Sequence, residues 1–252
     1  MKKLIIANWK MNPASLKEAK DIFNATKKSL AGLKNAEVVV CPPSIYIAEL
    51  ADKAAKVGVG AQNVFYEDGK RSHTGEISAK MLKSIGAKYV IIGHSERRTL
   101  GETDEVINRK ILAALEAGLK VVFCAGEETR DAENQFYNVV KGQITEGLRG
   151  INQNLLKNIV LAYEPVWAIS SNSNAKADNP GSVFEISVLI RKILMEFAGG
   201  DLARKIPIIY GGSVNAENAE KFIKEGGVDG LLVGSKSLNK EEFRKILSSM
   251  SS

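Results

Sequence analysis

Eight short apolar runs recur along the chain: LIIAN, EVVVC, VGVGA, YVIIG, VVFCA, IVLAY, IPIIY and GLLVG. They lack polar alternation, which is the pattern of strands buried on both faces. Between most of them lie helical stretches: SLKEAKDIFNATKKSL, SIYIAELADKAAK, TDEVINRKILAALEAG, AENQFYNVVKGQITEGL, SVFEISVLIRKILMEF, NAENAEKFIKE and KEEFRKILSSM. In the third of these, Val106, Ile107, Ile111, Leu112 and Leu115 fall on one stripe at helical spacing. Gly118 then ends that helix before the next strand. Strands alternating with helices in this way predict one (β/α)8 barrel domain over residues 1–252. The alternative, an open doubly wound sheet, would carry GxGxxG after its first strand, and none is there.

Two connections are long. Gln62 to Ile77 (QNVFYEDGKRSHTGEI) separates the third strand from its helix, and Pro165 to Asn179 (PVWAISSNSNAKADN) follows the sixth strand. Loops of this length inside a compact domain are functional or disordered. The bulk properties add little: 252 residues suit one barrel, and 44% hydrophobic with 25% charged residues is ordinary for a globular protein. A net charge of +6 comes from scattered lysines with no arginine- or aromatic-rich stripe. Nucleic acid is therefore not expected as a partner, and the charge suits small anions. Cys41 and Cys124 both end apolar runs and read as reduced, buried thiols. No signal segment and no membrane-length apolar stretch is evident, so a cytoplasmic protein without a membrane partner is expected.

The polar residues just beyond the apolar runs carry the chemistry. At the carboxyl ends of parallel barrel strands they would converge on one face, where such barrels work. Glu164 follows IVLAY and precedes Pro165; beside Trp167 it would be partly desolvated, the environment of a general base. Its alternative is a capping or ion-paired glutamate. His94 follows VIIG where a short helix can start at Ser95. A helix N-terminus disfavours imidazolium, so His94 should stay neutral and donate to a carbonyl; the bland alternative is a satisfied core histidine. His73, in a polar loop, reads as solvent-facing. Lys10 follows LIIAN and could bind a phosphate or form a Schiff base, with Asn8 and Glu96 as polar groups to hold it. YGGSV and LLVGSKS after the seventh and eighth strands would offer a backbone phosphate cradle from Gly211, Gly212, Ser213, Gly234 and Ser235. No HExxH, CxxC or acidic cluster with metal spacing appears, so metal-free acid–base or imine chemistry is expected.

NWKMN, TGEIS, GHSERR, AYEPVWAI, YGGSV and DGLLVGSKSL, in this order and across essentially the full chain, resemble the triosephosphate isomerase family. That resemblance implies cofactor-free interconversion of two triose phosphates through an enediolate, in glycolysis and gluconeogenesis. It implies Glu164 as the base, His94 as the neutral electrophile, Lys10 as the cation beside the substrate, and Asn8 as a substrate contact. It further implies a homodimer through the 62–76 loop, with Thr74 reaching toward Asn8 and Lys10 across the interface. The loop after Glu164 is then a lid whose Ser170 or Ser171 N–H meets the phosphate, latched by Tyr210 and Ser213. Two features depart from the family pattern: the lid tip is a few residues longer and glycine-free, and Gly234-Ser235 replaces the usual glycine pair. Two rival readings are a Schiff-base aldolase using Lys10 and a non-enzymatic barrel with a drifted lid.

Overall fold

A computed structural model describes residues 2–251 except 32, 34, 55, 69–71, 131–132, 134 and 170–177. Eight parallel strands close on themselves in chain order. They are β1 (Lys3–Asn8), β2 (Ala36–Cys41), β3 (Gly58–Ala61), β4 (Tyr89–Ile92), β5 (Lys120–Ala125), β6 (Ile159–Tyr163), β7 (Ile208–Tyr210) and β8 (Gly230–Val233). The register closes where Ile5 of β1 faces Leu231 of β8. The domain is the (β/α)8 barrel that the alternation predicts.

The unbroken apolar runs follow from this closure. Alternate strand residues point inward, so Ile6, Val39, Ile91, Val122, Ile209 and Leu232 pack in the barrel interior. Their neighbours Ile5, Val40, Ile92, Phe123, Ile208 and Leu231 point outward against the helices. Both sets are removed from water, and each fully buried aliphatic side chain contributes roughly 1.5–3 kcal/mol. Cys41 and Cys124 are free thiols in the interior.

The helices are α1 (Leu16–Ser29), α2 (Ile47–Ala51), α3 (Ala79–Ser84), α4 (Ser95–Thr99), α5 (Asp104–Glu116), α6 (Phe136–Gly147), α7 (Gln153–Leu156), α8 (Pro180–Ala203), α9 (Ala219–Glu225) and α10 (Lys240–Ser248). Their starts follow side-chain caps: Ser15 accepts from Glu18 N–H, Thr103 from Val106 N–H, and Asn179 from Ser182 N–H with Pro180 as the first helical residue. α5 ends before Gly118, which takes φ +76°, the left-handed turn a C-terminal glycine supplies.

Three helices are shorter than their sequence patterns. The SIYIAELADKAAK stretch yields a 3-10 turn at Ser44–Tyr46 and then only α2. The NAENAEKFIKE stretch starts its helix at Ala219, because Asn215 Oδ1 accepts the N–H groups of Glu217 and Asn218 and folds a turn there instead. α6 begins at Phe136, four residues into its pattern. α8 is longer than its pattern, though its backbone leaves helical geometry at Gly199.

On α5 the buried face includes Lys110, which no apolar periodicity would reveal. Its ammonium donates to Glu102 at 2.5 Å and to Asn63 at 2.7 Å. Burial pulls the Lys110 pKa down, and Glu102 opposes that shift. Arg97 joins the same carboxylate at 2.6 Å, so α4 is tied to the root of the 62–76 loop. Among the described residues no helix is long and apolar enough to cross a membrane.

Candidate active site

The carboxyl mouth of the barrel gathers Asn8, Lys10, His94, Glu164, Gly211 and Gly212 around one small cavity, with Gly234 at its edge. They come from the ends of five strands or the residues just beyond them: β1 for Asn8 and Lys10, β4 for His94, β6 for Glu164, β7 for Gly211 and Gly212, and β8 for Gly234. β1 ends on Asn8, a buried amide whose Oδ1 accepts the Lys10 N–H at 3.0 Å. Lys10 itself sits at φ +53°, a left-handed conformation costly for a side-chain-bearing residue, on the order of 1–3 kcal/mol. Its carbonyl accepts from Gln62 Nε2 at 2.8 Å, and the same amide nitrogen also donates to Cys41 O at 2.8 Å. The turn is thus pinned at both peptide groups, and Lys10 Nζ reaches Glu96 at 2.5 Å. The place of Asn8 in the folded chain is to hold this turn.

His94 caps α4, and its Nδ1 accepts the Glu96 N–H at 3.1 Å. A backbone N–H aimed at Nδ1 requires a lone pair there, so a neutral ring keeps its proton on Nε2. That nitrogen lies 3.4 Å from Glu164 Oε1. The other carboxylate oxygen of Glu164 accepts the Ser95 N–H at 3.3 Å. Both His94 and Glu164 are buried, at 6% and 2% exposure, so charge placed between them feels little water screening.

Glu164 is desolvated, as the sequence suggested for a carboxylate at that strand end, while the polar atom of Trp167 is engaged elsewhere. Its Nε1 donates to Glu127 at 2.8 Å, and Tyr163 Oη donates to the same oxygen at 2.8 Å. Arg130 bonds both groups, at 3.1 Å to Glu127 and 2.9 Å to Tyr163. What closes around Glu164 is backbone: a Cβ at Gly211 would lie 2.8 Å from Glu164 Cγ, and one at Gly126 would lie 2.0 Å from Glu164 O. Cys124 borders it from the barrel interior, and burial, then the Glu164 carboxylate, holds that thiol well above its usual range.

The glycine pair therefore has a steric reason beside the expected phosphate cradle. At Gly212 a Cβ would meet Tyr210 Oη at 2.1 Å. Tyr210 Oη is buried with no hydrogen-bond partner among the described residues, and burial raises its pKa above the usual phenol range. Ser213 is already engaged: both its N–H and its hydroxyl donate to Ala168 O, at 2.9 and 2.7 Å. Gly234 packs near Lys10, 3.7 Å from Cε to a Cβ built there, and Ser235 opens a 3-10 turn. Ser170 and Ser171 lie outside the described residues. Thr74 stands exposed on the long loop, and so does His73, which bonds Glu67 at 3.1 Å and packs on Phe65.

Sequence reasoning missed Gln62, Glu127 and Arg130. Gln62 does end the third apolar run, the same signal that exposed Asn8 and Lys10. The other two follow β5, where nothing local distinguishes them from surface charge.

A carboxylate and an imidazole face each other across a cavity that a lysine also lines, at the carboxyl mouth of a closed parallel barrel. That defines a barrel enzyme of the acid–base kind. A family model described as triosephosphate isomerase matches residues 3–250. Curated relatives named triosephosphate isomerase include those of Dictyoglomus thermophilum, 41% identical over 98% of this chain and 99% of the relative, and Alkaliphilus oremlandii, 42% identical over the same shares. The Aquifex aeolicus relative of that name is 41% identical over 98% of this chain and 99% of its own. The chain belongs to the triosephosphate isomerase family. It is accordingly an aldose–ketose isomerase.

Proposed function

We propose that the chain, as one barrel over residues 1–252, interconverts dihydroxyacetone phosphate and D-glyceraldehyde 3-phosphate, a step of glycolysis and gluconeogenesis. Glu164 takes a proton from the carbon beside the carbonyl and returns it to the neighbouring carbon. His94 Nε2–H supports the oxygen on which enediolate charge grows, and Lys10 supplies positive charge beside the anion. The phosphate is held at the turns after β7 and β8 by backbone N–H groups of Gly212, Gly234 and Ser235, while Gly211 and Ser213, whose N–H groups bond Tyr163 O and Ala168 O, set the turn around it. No metal or cofactor enters this scheme. The observation that carries the reading is the 3.4 Å approach of Glu164 Oε1 to His94 Nε2 inside the cavity that Lys10 also lines. A glutamate base facing a neutral histidine under a closing loop is the known arrangement of this enzyme class, so this reading is not a new result.

An exposed enediolate phosphate would lose its phosphate, so water must be kept out. The segment after Glu164 is read as the lid that does this, with Ser170 N–H on the phosphate. Tyr210 Oη, buried and without a hydrogen-bond partner among the described residues, supports the reading as a group that can receive the closing segment. Buried free thiols at Cys41 and Cys124 fit a reducing cytoplasm.

A coupled assay with each triose phosphate tests the function. Isomerisation is expected in both directions, undiminished by exhaustive chelation, and borohydride with substrate should trap no adduct. A trapped imine at Lys10 would favour the aldolase reading, which the ion pair of Lys10 Nζ with Glu96 speaks against.

The assembly is read as a homodimer through the 62–76 loop, with no nucleic-acid or membrane partner. Supporting it, Met11 at 93%, Ile45 at 78% and Met81 at 55% exposure are large apolar groups open to water. Met11 lines a groove of ≈ 320 Å³ with Lys10, Gln62, Phe65, Gly75 and Glu76, beside the active site. Thr74 of the partner subunit would enter there, toward Asn8 and Lys10. Light scattering at micromolar concentration is expected to show a dimer; an active monomer would contradict it.

A further inference from the structure

We infer that Gln143 is a positioning residue for Glu164, acting through the peptide of Gly126; this rests on the reading of Glu164 as the base. Gly126 lies one residue past β5. Backbone rungs tie this segment to β6 and its continuation on either side of Gly126: Glu164 N–H to Ala125 O and Val166 N–H to Glu127 O, both at 2.9 Å. Between those rungs the peptide groups of Gly126 bond no backbone group among the described residues. The side-chain amide of Gln143 takes the strand's place: Gly126 N–H donates to Oε1 at 2.8 Å, and Nε2 donates to Gly126 O at 3.1 Å. Two antiparallel bonds fix both the position and the rotation of that one residue.

The backbone of Glu164 rests directly on Gly126. A Cβ there would fall 2.0 Å from Glu164 O, 2.4 Å from its carbonyl carbon and 3.2 Å from its Cα. Any displacement of Gly126 is therefore transmitted to the backbone that carries the base. Gln143 is itself held firmly, because α6 buries Phe136, Val140, Ile144 and Gly147 against the barrel. Gly147 comes so close to β5 that a Cβ would meet the Phe123 ring at 2.3 Å. Gln143 and Glu164 also line one narrow cavity behind the active site, with Gly126 between them in the wall. The chain of contact runs from the core face of α6, through Gln143 and Gly126, to Glu164. The substrate's phosphate is held on the far side, at β7 and β8, and is not part of it.

Three variants test this. Gln143→Leu keeps the volume and removes both bonds; kcat should fall roughly 10- to 100-fold, as for a base misplaced by about 1 Å, while KM changes less than about 3-fold. Gln143→Glu is the sharper test. An ionised carboxylate can accept from Gly126 N–H but repels Gly126 O, whereas a protonated carboxyl has one donor and one acceptor and restores both bonds. The charged groups lining this cavity are Glu164, Arg98 and Glu128. All are present in the parent, so the readout is the ratio of variant to parent kcat at each pH. That ratio should rise at least about 3-fold between about pH 8 and about pH 5.5 as the introduced carboxyl is protonated, and the Gln143→Leu ratio should stay flat. A flat Gln143→Glu ratio, a folded Gln143→Leu with parent kcat, or a KM that rises in step with the loss would each overturn the inference. If Gln143→Leu fails to fold, the Gln143→Glu ratio decides alone. Glu164→Gln is the third variant: if it keeps parent turnover, the reading of the base fails and not only the role of Gln143.

Discussion

Replacing Glu164 with glutamine is expected to lower turnover roughly 10²- to 10⁴-fold, the usual worth of a general base, with the fold intact. The carboxylate is 2% exposed, and its contacts with Ser95 N–H at 3.3 Å and His94 Nε2 at 3.4 Å are both long. An amide of the same size keeps the packing and can still accept the Ser95 N–H. Stability should therefore change by less than about 1 kcal/mol. Glu164→Asp keeps the charge but draws the carboxylate back by on the order of 1 Å, enough to cost about 10²-fold in rate. Turnover from the coupled assay and a thermal melt on the same samples separate the two quantities. If either variant works at the parent rate, the proton is removed by another group.

Gly126→Ala should be the most damaging single methyl group in the chain's active region. Its Cβ would meet backbone atoms of Glu164 at 2.0 and 2.4 Å. Neither side can swing away as a side-chain tip could, so β5 and β6 must part where the base leaves the barrel. The expected result is a loss of about 3 kcal/mol or more, with turnover down more than about 10²-fold in the protein that still folds. Gly142→Ala, within α6, is the matched control: a Cβ there meets nothing within 4 Å. It should stabilise the helix by about 0.5–1 kcal/mol. Urea unfolding of both variants checks the contrast. Equal stabilities would mean that Glu164 does not rest on Gly126.

The helical stripe on α5 shows how far a local pattern reaches. Ile107, Ile111 and Leu115 are buried as their spacing requires, yet Lys110 shares their face because Glu102 and Asn63 meet its ammonium there. Those partners arrive from a loop and from a preceding turn, so no window along α5 contains them. The hydrogen bond of Trp167 is hidden from the sequence for the same reason. Its sequence neighbour is Glu164, but its indole reaches Glu127, 40 residues back, because β5 and β6 lie side by side.

By itself the sequence determined the order of strands and helices, and with it the barrel. Burial on both faces leaves an unmistakable apolar run, and helical burial leaves a stripe of its own period. It also placed Asn8, Lys10, His94 and Glu164 at strand ends, because a parallel barrel brings all such ends to one mouth. Only the tertiary structure decided how those residues are held. The left-handed turn at Lys10 depends on Gln62, 52 residues away, and the backbone beneath Glu164 depends on Gln143 through Gly126. The glycine pair 211–212 is small because Glu164 and Tyr210 crowd it, whatever its N–H groups bind. Periodicity records which face of an element is dry, a property of a few neighbouring residues. A hydrogen bond between elements is set by the register in which the barrel closes, and no local stretch of sequence encodes that.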